Sequence, residues 1–200
     1  MAFREWVFDL PLRTEAELRL FVEVAFGAKI PNTQVCEGHT TPWRAFADAF
    51  FARAPIAIWK ASRGLGGKSF LLSLLTTTEA AALKADVSIL GGSGEQSRRI
   101  LDHMRAFWDH PNAPKHLLAG DVQREMRFVW GNRVSALMAS QASVRGPHPQ
   151  RLRLDEVDEM KQDILDAALG QPMSKNGIAS QVVASSTHQY ANGTMSEMLA

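Results

Sequence analysis

Ile56-Ala-Ile-Trp-Lys-Ala-Ser-Arg-Gly-Leu-Gly-Gly-Lys68-Ser69-Phe-Leu-Leu72 is an apolar run, then a glycine-rich loop, then a Lys-Ser pair opening an apolar helix. That order suits a nucleoside triphosphate. Small residues let the backbone N–H groups of Ser62, Arg63, Gly64, Leu65, Gly66 and Gly67 curl round phosphate oxygens, and the following helix points its positive end at them. In this reading Lys68 reaches the β- and γ-phosphates and the Ser69 hydroxyl binds Mg²⁺. The usual pattern opens on glycine, and here Ser62 stands in that position. A chance Gly-Lys-Ser after an apolar run is the alternative; the strand-loop-helix context that the motif demands argues against it.

A second motif strengthens the reading. Gln150-Arg-Leu-Arg-Leu-Asp155-Glu156-Val-Asp158-Glu159 reads as a short strand ending in adjacent carboxylates. An acid at the end of a neighbouring strand helps to hold Mg²⁺, the role expected of Asp155. A second carboxylate beside it polarises the attacking water, the role expected of Glu156. Acidic pairs at strand ends are also common surface features, and it is the glycine loop upstream that favours the chemical reading. Asp158 and Glu159 are expected in the first turn of the next helix, where negative charge suits the dipole.

Composition sets the frame. A chain of 200 residues predicts one domain with a sizeable core, and 46% hydrophobic with 22% charged residues is ordinary for a globular protein. A net charge of +1 excludes a body coated in basic residues, so any polyanion contact is local, in a loop or a pore lining built by an oligomer. The lone Cys36 excludes an intrachain disulfide framework, fits a reducing compartment, and is expected to be buried or half-buried. No apolar run approaches a membrane span, and the N-terminus lacks a signal-peptide pattern. The histidines at 39, 103, 110, 116, 148 and 188 have no ligand spacing, so the expected ion is Mg²⁺ carried in with the nucleotide.

Along the chain, Thr14-Glu-Ala-Glu17 is a capping box that starts a helix running to about Gly27. Thr41 with Pro42 opens a second helix over Trp43–Arg53, stopped by Pro55. The first core strand is Ile56–Trp59. Lys68–Leu83 is predicted helical, Asp86–Leu90 a strand, and Glu95–Trp108 an amphipathic helix. Gly91-Gly-Ser-Gly94 has no Lys-Ser behind it and reads as a turn, not as a second phosphate cradle. Arg127–Trp130 and Arg133–Ala139 flank Gly131-Asn132, a two-residue hairpin turn. The Asp155 strand, a helix over Lys161–Leu169 and a strand over Ile178–Ala184 follow, the last ending at Ser185-Ser186-Thr187. Gly193–Ala200 looks like a helix that has only begun, so a further domain is expected beyond it. Strands alternating with helices predict an α/β fold with a mainly parallel central sheet covered on both faces, and ligands at the carboxyl ends of its strands.

These residues together resemble the N-terminal ATPase domain of bacteriophage terminase large subunits, the motors that package DNA into a procapsid. The phosphate loop of that family often carries Ser-Arg before its glycines, as at Ser62-Arg63. Its second motif ends Asp-Glu, as at Asp155-Glu156, and a Ser/Thr triplet follows the next strand, as at Ser185-Ser186-Thr187. Arg145-Gly146, upstream of the acidic pair, is a further match. The resemblance spans about Ile30 to Thr194. It implies a P-loop NTPase of the ASCE type that hydrolyses ATP with Mg²⁺ and powers translocation of double-stranded DNA in the cytoplasm of a bacterial host cell. It also implies a homo-oligomeric ring, with portal and terminase small subunit as partners, and neither membrane attachment nor secretion. The domain would fill residues 1–200, with a helical segment to about 54 and the core from about 55.

The resemblance also implies roles for single residues. Arg145 is either a trans-acting finger completing the neighbouring subunit's site or a surface residue before Pro147-His-Pro149. Arg63 either senses the γ-phosphate in cis or is a solvated loop side chain. Ser185, Ser186 and Thr187 are either the coupling element, exchanging partners when phosphate leaves, or a hydroxyl-rich strand end. The chain departs from the family twice. The adenine-contacting segment corresponds to His39-Thr-Thr-Pro-Trp43 and offers no secure reader; Gln34 is a weak candidate. Complete terminase large subunits also carry a C-terminal nuclease domain with clustered metal-binding acids, which nothing here supplies. Trp6, Trp43, Trp59, Trp108 and Trp130 lie on different elements and are expected mostly in core or interface packing, not on a strand-stacking platform. Two rivals are a helicase-like DNA translocase and a nucleotide-binding switch with little turnover.

Overall fold

The computed structural model describes residues 11–62, 67–120, 125–138, 140 and 148–200. Thr14 caps α1 (Glu15–Phe26) through a complete capping box with Glu17, and Gly27 ends it in the left-handed conformation. Thr41 caps α2 (Pro42–Phe50), which stops before the expected Arg53. Glu15 joins the two ends of this helical segment, accepting hydrogen bonds from the Trp43 indole at 3.1 Å and from Arg53 at 2.8 Å.

Among the described residues the sheet has six strands in the order β1-β6-β5-β2-β4-β3: β1 (Ile56–Lys60), β2 (Val87–Gly91), β3 (Glu125–Arg127), β4 (Arg133–Met138), β5 (Arg151–Asp155) and β6 (Gln181–Ser186). All neighbouring pairs are parallel except β3 with β4. Helices α3 (Lys68–Thr78) and α4 (Gly94–Asp109) connect the early strands, and α5 (Gln162–Leu169) connects β5 to β6. The chain closes with α6 (Thr194–Leu199). Two apolar cores flank the sheet, as the alternation of a strand requires. Val87, Ile89 and Val183 face the core built with α1 to α4, whereas Leu152, Leu154, Val182 and Ala184 face the core built with α5 and α6. Helices therefore cover both faces, and the fold is α/β with a mostly parallel sheet.

Several boundaries differ from the sequence reading. The hairpin does not turn at Gly131-Asn132, because Arg127 pairs with Arg133 and residues 128–132 lie between the strands. Phe128 is drawn into the core against Trp108 and bridges Leu118, while the Asn132 amide donates to the carbonyls of Ala80 and Ala85 at 3.0 and 3.1 Å. Burial outweighs the local turn preference there. The last strand begins at Gln181, not Ile178, because Asn176-Gly177 forms a tight turn at positive φ in which Lys175 and Ile178 bond each other. The long helix from Lys68 changes after Thr78 into a π-helical turn, Glu79–Leu83. Cys36 is exposed, contrary to expectation, since it lies in the loop between α1 and α2. Trp43 and Trp108 are buried, and Trp130 is exposed. No helix among the described residues is long and apolar enough to cross a membrane.

Candidate functional site

The carboxyl ends of β1, β5 and β6 meet at one rim, because parallel register pairs Lys60 with Ser186 and Asp155 with Ser185. Gly67, at φ +54°, ends the loop after β1 and starts α3, a left-handed position that costs glycine little. Lys68 follows at the first turn. Its side chain is bent back and only 8% exposed, and Nζ donates to the Ala61 carbonyl and to Thr187 Oγ1, both at 3.1 Å. Thus the first and third motifs touch directly.

Asp155 ends β5 and is 2% exposed. Ser69 Oγ donates to its Oδ2 at 3.0 Å and Ser185 Oγ to its Oδ1 at 2.7 Å. Burial pushes the carboxyl above the usual aspartate range, although both hydroxyls work the other way. Glu156 next to it adopts φ +53°, a left-handed conformation for a non-glycine residue. Its Oε2 faces Thr187 N at 3.5 Å and Ser186 Oγ at 3.4 Å, and Ser186 Oγ lies closer, at 3.1 Å, to the Thr187 carbonyl. The site is therefore a strip of oxygen donors and one ammonium along the rim. A hydroxyl beside a buried carboxylate is an all-oxygen donor set, which fits a hard divalent cation that keeps other ligands from water or phosphate.

The structure brings together Lys68, Ser69, Asp155, Glu156, Ser185, Ser186 and Thr187, with Gly67 at the first turn of the helix that carries Lys68 and Ser69. Ser62 is exposed, two residues past the end of β1. Arg63, Gly64, Leu65, Gly66 and Arg145 lie outside the described residues. Asp158 and Glu159 are not in the next helix. They belong to a separate 3₁₀ turn, Val157–Glu159, and α5 starts later, at Gln162.

Sequence reasoning passed over two features. Arg151 and Arg153 share the face of β5 that carries Asp155, where alternation in the strand calls for inward-pointing side chains. Both meet Glu79, at the π-helical turn, which like Arg153 has no exposed surface. The other feature is Asp158, whose carboxylate is a hub for the chain after β6. The only hint in the sequence is a carboxylate following an acidic pair, with a glycine, Gly193, far downstream.

No protein-family model and no curated protein matches the chain. Among solved structures it is similar to the crystal structure of the HK97 bacteriophage large terminase, with a TM-score of 0.61. The fold is terminase-like. The alignment covers 96% of this chain and 39% of that chain at 16% sequence identity. At that identity the likeness is one of fold alone, and the chain spans well under half the length of the terminase it matches.

Proposed function

We propose that the chain is an ATP-hydrolysing P-loop motor domain of the ASCE type that powers translocation of double-stranded viral DNA into a procapsid. The observation that carries this reading is the meeting of three distant sequence motifs at one rim, through the Ser69–Asp155–Ser185 hydroxyl-carboxylate chain and the Lys68–Thr187 contact. The terminase-like fold supports it.

In this proposal the loop Ser62, Arg63, Gly64, Leu65, Gly66 and Gly67 cradles the phosphates, and Lys68 leaves Ala61 and Thr187 to reach the β- and γ-phosphates. Ser69 and Asp155 would hold Mg²⁺, which when bound supplies charge to offset the phosphates. Glu156 accepts the proton of the attacking water; its oxygen bonds to the γ-phosphorus while the bond to the β–γ bridging oxygen breaks. Arg63 senses the γ-phosphate in cis and Arg145 completes the site of the next subunit in a ring. Ser185, Ser186 and Thr187 change hydrogen-bond partners when phosphate departs. DNA, the portal and the small subunit are the proposed partners, in the cytoplasm of the host cell.

The test is ATP turnover at protein concentrations that allow rings to form. Lys68→Ala is expected to lose nucleotide affinity. Glu156→Gln is expected to keep ATP binding and lose turnover by about 10²–10⁴-fold, the usual worth of a general base. Turnover equal to wild type in both variants would overturn the reading.

A further inference from the structure

We propose that Asp158 is a positioning residue that ties the acidic pair at the end of β5 to α6, so that the C-terminal helix reads the state of the site. The inference rests on the ATPase reading above. Asp158 is 8% exposed and holds two segments at once. Its backbone N–H donates to Ser186 Oγ at 3.3 Å, the same hydroxyl that faces Glu156 and the Thr187 carbonyl. Its carboxylate accepts three backbone N–H groups from the chain beyond β6. Oδ2 takes Gln189 at 2.8 Å and Tyr190 at 3.1 Å, and Oδ1 takes Met195 at 2.9 Å.

The carboxylate cannot be exchanged for a neutral isostere without loss. Both of its oxygens accept, so an amide NH₂ at either position would confront a backbone N–H. Desolvation acts to raise its pKa, yet the three backbone donors hold Asp158 below the usual aspartate range, so it is a carboxylate at neutral pH. Gly193 supplies independent support. Its φ of −86° is open to any residue, but a Cβ there would stand 2.4 Å from Asp158 Oδ1. Glycine is needed at 193 for the close approach of this carboxylate. The far side of the link is firmly seated, since Met195 is buried with Val157 and Met160, and Thr194 Oγ1 donates to the Met160 carbonyl at 3.1 Å. A change of partner at Ser186 therefore reaches Asp158 through its backbone N–H and the first turn of α6 through its carboxylate.

The experiment uses the full 200-residue chain as wild type, Asp158→Asn, Gly193→Ala and Ser196→Ala. Steady-state ATP turnover is measured beside amide hydrogen exchange over residues 189–195, with and without a non-hydrolysable ATP analogue and Mg²⁺. Asp158→Asn and Gly193→Ala are expected to keep KM within about 2-fold and to lose kcat by about 10-fold or more. They are also expected to abolish the analogue-dependent change in exchange. Ser196→Ala removes bonds to His188 and to the Tyr190 and Ala191 carbonyls in the same segment while leaving the three backbone donors to the Asp158 carboxylate in place, and is expected to match wild type. Gly193→Ala leaves the aspartate unsubstituted and instead presses on its Oδ1, a second way to break the link should the asparagine variant fold poorly. A wild-type chain that hydrolyses ATP while both variants equal it in kcat and exchange overturns this inference alone. A wild-type chain that neither binds nor hydrolyses ATP overturns the ATPase reading and this inference with it.

Discussion

Asp155 is a carboxylate shut away from water and held by two serine hydroxyls. Burial raises its pKa, so the folded chain binds its proton more tightly than the unfolded chain does. Its contribution to stability is then complete below the ordinary aspartate value of 3.8 and is lost as pH rises through the elevated folded value. When ionised in the ligand-free chain, the carboxylate is held by two hydroxyls whose effect is smaller than that of its burial. Asp155→Asn is thus expected to raise stability at pH 7 by on the order of 1 kcal/mol, about 2–4 °C in Tm for a chain of this size. The same variant is expected to lose the extra Tm shift that Mg²⁺ adds to ATP. Scanning fluorimetry with ATP, with and without Mg²⁺, reads both; a lower Tm for the ligand-free variant would contradict the account of Asp155. Glu156 shows the complementary case, a side chain kept where its backbone is strained. At φ +53° a non-glycine residue gives up about 1–2 kcal/mol, which persists where a particular side chain is needed. Glu156→Gly is expected to hold or raise the urea midpoint while hydrolysis falls by about 10²–10⁴-fold.

Strand β5 carries two chemistries because its period is two. Leu152 and Leu154 fill one core, while Arg151, Arg153 and Asp155 face α3 and the π-helical turn. Arg153 grips Glu79 through both ends of its guanidinium, with Nε to Oε2 at 3.1 Å, and also donates to the Gln181 carbonyl. Arg151 lies 3.3 Å from Glu79 without hydrogen-bond alignment, and burial lowers its pKa against the pull of that carboxylate. The Ser69–Asp155 bond pins the start of α3 to β5, and the Glu79 contacts pin its far end. Glu79→Ala leaves two buried guanidinium groups without their anion and is expected to cost about 3–5 kcal/mol, whereas Glu79→Met with Arg151→Leu and Arg153→Met is expected to be near neutral or stabilising. Urea denaturation distinguishes the two. This pattern also explains what was legible in the sequence. Caps such as Thr14 and Thr41, the Asp155 strand and the helix opening at Lys68 are local signals, and they are readable. The Arg153–Glu79 pair and the Asp158 link join residues far apart in the chain, so no local rule exposes them. The hairpin was misplaced because Phe128 follows the core instead of the Gly131 turn. The start of β6 was legible in principle, from Asn176-Gly177.

Across the molecule, the rim lies at the side of the sheet where β1 is the outermost strand among the described residues. Central strands β2, β5 and β6 are buried throughout, but β1 exposes Ile56 at its start and Lys60 at its end. In the proposed ring, a site at the end of an outer strand is completed by a neighbouring subunit. Arg145 is the residue proposed to arrive from the neighbour. Two inactive variants separate the alternatives, since Arg145→Ala keeps Glu156 and Glu156→Gln keeps Arg145. Each alone is expected to be nearly silent, with the arginine worth about 10³–10⁵-fold. In a mixed ring, an Arg145→Ala subunit beside a Glu156→Gln subunit holds one site with Glu156 from itself and Arg145 from its neighbour. Mixing the two proteins is therefore expected to restore turnover, rising to a maximum near equal amounts and requiring concentrations at which rings assemble. If Arg145 acts within its own chain, no mixture contains a complete site and turnover stays at the sum of the two separate rates.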